Sequence, residues 1–516
     1  MKYTKKLGRV KYTLILISII VGYIVFFQYE HKKKEDEIIK RNLDLAKIWN
    51  SISQNFAYWD QIGGTDQWDE AYENAVRNVS KCKSDYEYLE LLEEFLAVLQ
   101  DGNASVLDGA GIDNVPAKYM SQINKLDWGA LPFEVDIIDN KFIVSKCLNN
   151  STIPLYSEIT QINNCTPYEY LENNYGHRVG CRTVGGRVHM LASAFRFAKA
   201  GTQLQITYNT LGKENTAFIT YDKNFLGISI SPRANEQVIG NIIYSGDYFN
   251  IYKINNIVYI KIFGLNGQSM ENTFEKYALP SIYNSDGCIL DLRECKNGDS
   301  VTARKIMQYF TRKELPEYIK SYALRSGLEM YVAWLAEIQM EGVERYTGTK
   351  LLERGRKMRS GQYYYTLYGA DSSFCKSIKT ENEKEIANLN KRYNINILDD
   401  DYADIKKTIE NIPCIMLIDA GTSRAGECMA VMAKEAEITL IGERTAGICG
   451  EIAMEQLNNG WIIVYSAGNI YAPNGDAIWN QGIMPDIEKS VSLNDYMSGN
   501  DSVRKYAIEY INNYTK

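Results

Sequence analysis

The side chains best suited to chemistry gather late in the chain, at Thr422-Ser423-Arg424-Ala425-Gly426-Glu427. Ser423 offers a hydroxyl for attack, Arg424 a permanently charged fork of donors that suits carboxylates, and Cys428 and Cys449 two thiols. Attack on a carbonyl also needs a base within hydrogen-bond reach and donors for the oxyanion. Imidazole is scarce, because His31, His177 and His189 are the three histidines. Ser423 therefore gains a base only if His177 or His189 reaches it from a distant segment. The cysteines read either as thiolates activated by a nearby Arg424 or as inert interior thiols. Arg424 likewise has two readings. It holds a carboxylate at the mouth of a groove, or it pairs with Glu427 or Glu443 and fills a space.

Residues 412–447 must position these groups. An apolar run, Cys414-Ile415-Met416-Leu417-Ile418, breaks at Asp419-Ala420-Gly421. A helical repeat (Met429, Val431, Met432) follows, then a second run, Ile438-Thr439-Leu440-Ile441, ending at Gly442-Glu443-Arg444-Thr445-Ala446-Gly447. Short β-branched runs bounded by turn residues predict buried strands, and the whole predicts one βαβ unit. Sites form where such a strand hands over to its helix, which here is Gly421 to Arg424.

Three further stretches accompany this one: Tyr471-Ala472-Pro473-Asn474-Gly475, Gln481-Gly482-Ile483-Met484-Pro485-Asp486, and Leu290-Asp291-Leu292-Arg293 with Asn297-Gly298-Asp299. Taken in chain order with the segment at 412–447, they resemble the tail-specific, or C-terminal processing, serine peptidases, tricorn-like enzymes among them. The resemblance covers about residues 45–515. It implies a crotonase-like α/β peptidase core with a nucleophilic serine at the position held here by Arg424. It implies a base histidine at the position of Asn103, in Leu99-Gln100-Asp101-Gly102-Asn103, or a base lysine at the position of Ile448. A further carboxylate or amide position holds Trp479. Gly298 is implied as an oxyanion donor beside Ala425 and Arg424, with Asp299 where a second glycine is usual. Arginine cannot attack a carbonyl and asparagine cannot accept a proton near neutral pH. The matched positions thus name no confident catalytic residue, and Ser423 remains as a displaced nucleophile.

At 516 residues the chain has room for two or three domains. Its net charge of −7, with no basic cluster beyond residue 34, gives no reason to expect nucleic acid. The ten cysteines include no Cys-x-x-Cys, so no metal or other cofactor is expected, and their pairing stays open. Lys2, Lys5, Lys6, Arg9 and Lys11 precede an uncharged run at about 12–29, followed by His31-Lys32-Lys33-Lys34. That run is long enough to cross a bilayer, and no small-residue cleavage site follows it. Residues 1–34 are expected to be a cytoplasmic tail and membrane anchor; a cleaved signal is the alternative.

Residues 35–115 should form a helical domain. The repeat Leu89, Leu92, Phe95, Leu96 and Leu99 is expected to stop at Asp101-Gly102. Residues 116–225 show strand patterns at Pro132 to Val135, Phe142 to Val144, Ile159 to Asn163 and Leu204 to Tyr208. The stretch Pro154 to Asn164 resembles a PDZ domain, which implies binding of extended peptides. Residues 240–490 should form the core, with an insertion at 314–404 in which Tyr318 to Arg345 reads as helix and Gly361 to Tyr365 as strand or loop. A terminal helix at 491–516 ends the chain. The expected fold class is α/β and multidomain: a helical N-terminal layer, a PDZ-like β domain and a core with a mixed sheet.

Two functions follow. One is a catalytically degenerate serine peptidase that binds peptide or protein C-terminal tails without cutting, set in a bacterial cell membrane with its bulk periplasmic or extracellular. The other is an active serine endopeptidase using Ser423.

Overall fold

The computed structural model describes residues 2–107, 128–226, 240–313, 315–316, 318–323, 364–367 and 409–514. The core is a seven-stranded mixed sheet. Its order runs Ile487–Glu488, Thr439–Gly442, Cys414–Ile418, Gly287–Asp291, Ile257–Ile262, Phe249–Ile254, Asn241–Ser245. The first five are mutually parallel and the last two antiparallel. The expected βαβ unit is present: Cys414–Ile418, helix Ala425–Glu435 and Thr439–Gly442, with Ile415 opposite Thr439. Residues Ala425 through Ala433 of that helix are all buried. Small and flexible side chains (Ala, Gly, Cys, Met) allow burial on every face, as a helix sealed between layers requires.

The N-terminal layer comprises helices Lys2–Asn55, Asp66–Val79 and Asp85–Ala97. Their apolar stripes meet in a cluster containing Trp59, Trp68, Phe95 and Leu99, which also takes in Trp461, Tyr465 and Trp479 from the far end of the chain. Strand Ser105–Leu107 then pairs antiparallel with Ile462–Tyr471, joining this layer to a second sheet. The helix stops at Ala97, and the left-handed turn residue is Gln100 (φ 53°), not Gly102. Gly102 is needed for space, since a Cβ there would lie 2.5 Å from Cγ1 of Ile448.

A separate five-stranded antiparallel sheet contains all four expected strands plus Lys213–Thr220. The strand pattern did not reveal helix Val184–Phe195, which packs on edge strand Phe133–Ile138. Of the expected insertion, Ile319–Ala323 is a strand paired with Tyr471, Ile470, Asn469 and Gly468. The helical expectation fails there because pairing to an existing strand overrides local helix propensity. Tyr364–Leu367 is the next strand; the remaining expectations for 324–363 and 368–404 lie outside the described residues. The C-terminal helix is two helices, Leu493–Met497 and Ser502–Tyr514, separated at Gly499 (φ 74°).

Among the described residues no helix is long and apolar enough to cross a membrane. The side chains of residues 12–19, part of the expected anchor, lie outside those described.

Candidate active-site segment

The turn from strand Cys414–Ile418 into helix Ala425–Glu435 is built by Asp419. Its Oδ1 accepts from the amides of Gly421 (3.0 Å) and Thr422 (2.9 Å), the Thr422 hydroxyl (3.0 Å) and the Glu294 amide (3.0 Å). Aspartate at the start of a tight turn satisfies backbone donors that would otherwise be stranded. Across the turn, the Ser423 amide donates to Cys295 O (3.0 Å) and the Arg424 amide to Ile448 O (2.8 Å). These bonds hold Arg424 at φ 53°, ψ −117°, a conformation costing on the order of 1–3 kcal/mol for a residue with a Cβ.

The Arg424 side chain does not pair with Glu427 or Glu443. Its Nε donates to Asn103 Oδ1 at 2.6 Å, across 321 residues of sequence. The structure thus brings together the positions matched to a nucleophile and its base, occupied by a guanidinium and an amide. Asn103 Nδ2 donates onward to Ser466 Oγ (3.0 Å). Beneath it lies Asp101, fully buried, accepting from the Asn103 amide (3.0 Å), the Ser466 amide (2.9 Å), the Ser466 hydroxyl (3.0 Å) and Trp479 Nε1 (3.3 Å). Burial raises the Asp101 pKa despite these donors. Trp479 is stacked on Tyr58, centroids 4.0 Å apart, and so turns its one donor to Asp101.

Glu427 holds the other wall. Its carboxylate accepts from Thr445 Oγ1 (2.6 Å), Gly447 N (2.6 Å), Ile448 N (2.9 Å) and the Arg424 amide (3.2 Å). Burial is the largest influence and pushes its pKa to about 7. Ile448 is 7% exposed and belongs to the apolar cluster of the neighbouring five-stranded sheet. A lysine there would sit in that cluster, so the residue packs where an amine base would ionise.

The remaining expectations divide. Gly298 has φ 123°, and a Cβ there would lie 2.3 Å from Leu265 O, so the close approach of two backbones demands glycine. Asp299 caps helix Ser300–Met307 through Thr302 N (2.7 Å). The Ala425 amide opens the site helix and has no acceptor among the described residues. Ser423 is 5% exposed, and its hydroxyl has no base partner among them. His177 pairs with Glu94 (3.1 Å), and His189 approaches Lys296 (2.9 Å) and Glu294 (3.5 Å). The buried thiols of Cys428 and Cys449 lie 3.5 Å apart. Among the described residues no group of three His, Cys, Asp or Glu side chains could hold a metal ion.

Sequence reasoning read Asp101 and Asp419 only as breaks in the chain and gave no role at the site to them or to Ser466. Asp419 carries a visible signal, Asp two residues before Gly at a strand end. Ser466 carries none.

Residues 256–489 match peptidase family S41, in line with the resemblance of the motifs to tail-specific serine peptidases. Among solved structures, mature CPAF is similar over 92% of this chain and 98% of its own, at 14% identity and a TM-score of 0.62. Mature CPAF complexed with lactacystin matches over 92% and 99%, at 15% identity and a TM-score of 0.60. At such identities the likeness is one of fold. No curated protein matches the chain.

Proposed function

We propose that this chain is a non-cleaving member of the family that binds the carboxyl-terminal tails of peptides or proteins. The observation that carries this reading is the 2.6 Å bond from Arg424 Nε to Asn103 Oδ1. The two positions matched to nucleophile and base are spent on each other, and neither side chain can accept a proton near neutral pH. The Arg424 Nη groups have no acceptor among the described residues, nor has the amide of the next residue, Ala425, at the helix N-terminus. Such donors suit a carboxylate. Strand Phe133–Ile138, paired on one side only among the described residues and flanked by helix Val184–Phe195, supports a PDZ-like second contact by strand addition.

The test is binding of labelled peptides to the full chain, with free and amidated C-termini. Free tails should bind, and amidation or Arg424→Ala should weaken binding at least about tenfold, or about 1.4 kcal/mol. Turnover of a fluorogenic peptide, abolished by Ser423→Ala, would overturn the reading in favour of an active endopeptidase.

The proposed setting is a bacterial membrane, crossed once near residues 12–29, with the bulk periplasmic or extracellular. The uncharged run supports it, as do Ile20, Val21, Ile24, Val25, Phe26 and Phe27, all between 49% and 62% exposed. Protease protection in intact cells and after permeabilisation checks it.

A further inference from the structure

We infer that Cys428 and Cys449 form a reversible disulfide that ties the site helix to the segment carrying Ile448. Their sulfurs are 3.5 Å apart in van der Waals contact, and the side chains are 2% and 0% exposed. The backbone is fixed at both ends of the pair: Tyr318 Oη donates to Cys428 O at 2.8 Å and Tyr58 Oη to Cys449 O at 2.6 Å. A bond needs an approach to roughly 2.05 Å, a closure of about 1.5 Å that side-chain rotation can supply.

The position gives the bond a consequence. Cys428 follows Glu427 and Cys449 follows Ile448, and Glu427 already accepts from the Ile448 amide at 2.9 Å. The disulfide would run parallel to that hydrogen bond and close a loop holding the site helix from Cys428 to Glu435 and strand Thr439–Gly442. The neighbouring Cys428 thiol and burial push the Cys449 thiol well up, so Cys449 exchanges poorly in the folded chain and the bond forms during folding or local opening.

The oxidant is a small disulfide, RSSR. One cysteine thiolate attacks it to give a mixed disulfide and RS⁻; the second attacks that sulfur and releases another RS⁻. Two cysteine thiols lose two electrons and two protons, and RSSR becomes two RSH. The bond persists only in an oxidising compartment. It therefore rests on the proposed location and not on peptide binding.

The experiment refolds the full chain in oxidised and reduced glutathione, blocks free thiols under denaturing conditions and maps tryptic peptides by mass. Lys434 and Arg444 separate the two cysteines, so a bond appears as two linked peptides that part on reduction. The expected result is a 428–449 link under oxidising conditions, with a thermal midpoint a few degrees above that of the reduced chain. Cys428→Ala/Cys449→Ala should abolish that difference. Both cysteines recovered blocked after oxidative refolding, or either one joined to a third cysteine, would overturn the inference. An unaltered midpoint in the linked chain would overturn the tie.

Discussion

Arg424 Nε and Asn103 Oδ1 share a 2.6 Å hydrogen bond, and each is held from behind. Arg424 is anchored by its amide on Ile448 O, and Asn103 by Ser466 Oγ and the Asp101 carboxylate. Removing either partner strands the other, and an unsatisfied buried group costs about 1–3 kcal/mol. Arg424→Ala and Asn103→Ala should each destabilise the fold by about that amount, and the double variant by less than the sum. Chemical denaturation of the four proteins measures the coupling, expected at about 0.5–3 kcal/mol. Additive losses would mean that the bond contributes nothing.

The same geometry makes activity restorable in part. Arg424→Ser and Asn103→His together place a hydroxyl and an imidazole on side chains that already meet. Peptide hydrolysis by the double variant should exceed that of either single variant by roughly 10²-fold, the lower end for a positioned base. A fluorogenic peptide assay decides it; equal rates in all three would show that the separation suits Arg and Asn only.

Ile448→Lys should not restore activity. The new amine would enter the apolar cluster around Leu131, Val144 and Ala446 and press against Gly102. Burying an unpaired ammonium costs several kcal/mol, so loss of the folded state is expected before any gain of function. Circular dichroism on heating reads this directly. A variant as stable as the parent would refute the packing assignment.

Glu427 makes stability depend on pH. Its folded pKa of about 7 lies above the ordinary 4.5. The protonated carboxyl is therefore favoured by folding, and its contribution is full below pH 4.5 and lost as pH rises through about 7. The thermal midpoint of the parent should carry a falling component across that window. Glu427→Gln, less stable throughout because its amide meets four donors, should lack that component. Parallel pH slopes for the two proteins would assign the effect elsewhere.

Much of this was legible because local pattern and fold agree. The βαβ unit at 412–447 follows from two apolar runs and a helical repeat. The positions of Arg424, Asn103 and Ile448 came from motif order. Their contacts did not, because Arg424 and Asn103 meet through tertiary structure 321 residues apart. One of the two readings of Arg424 pairs it with Glu427 or Glu443; backbone amides and Thr445 take the Glu427 carboxylate instead. Ile319–Ala323 was missed because a strand added to an existing sheet needs a partner that sequence patterning does not reveal.

The Asp101 carboxylate grips Ser466 across 365 residues, and strand Ser105–Leu107 lies along Ile462–Tyr471. A ribosome releasing this chain in order delivers Asp101 and Asn103 long before anything exists for them to grip. The helices of residues 41–99 must wait, with Trp68, Phe95 and Leu99 short of Trp461 and Trp479, until about 360 further codons are read. Such late closure is slow and leaves apolar surface open meanwhile. A transcript cut short before residue 462 should therefore yield protein that aggregates, however well its own helices form.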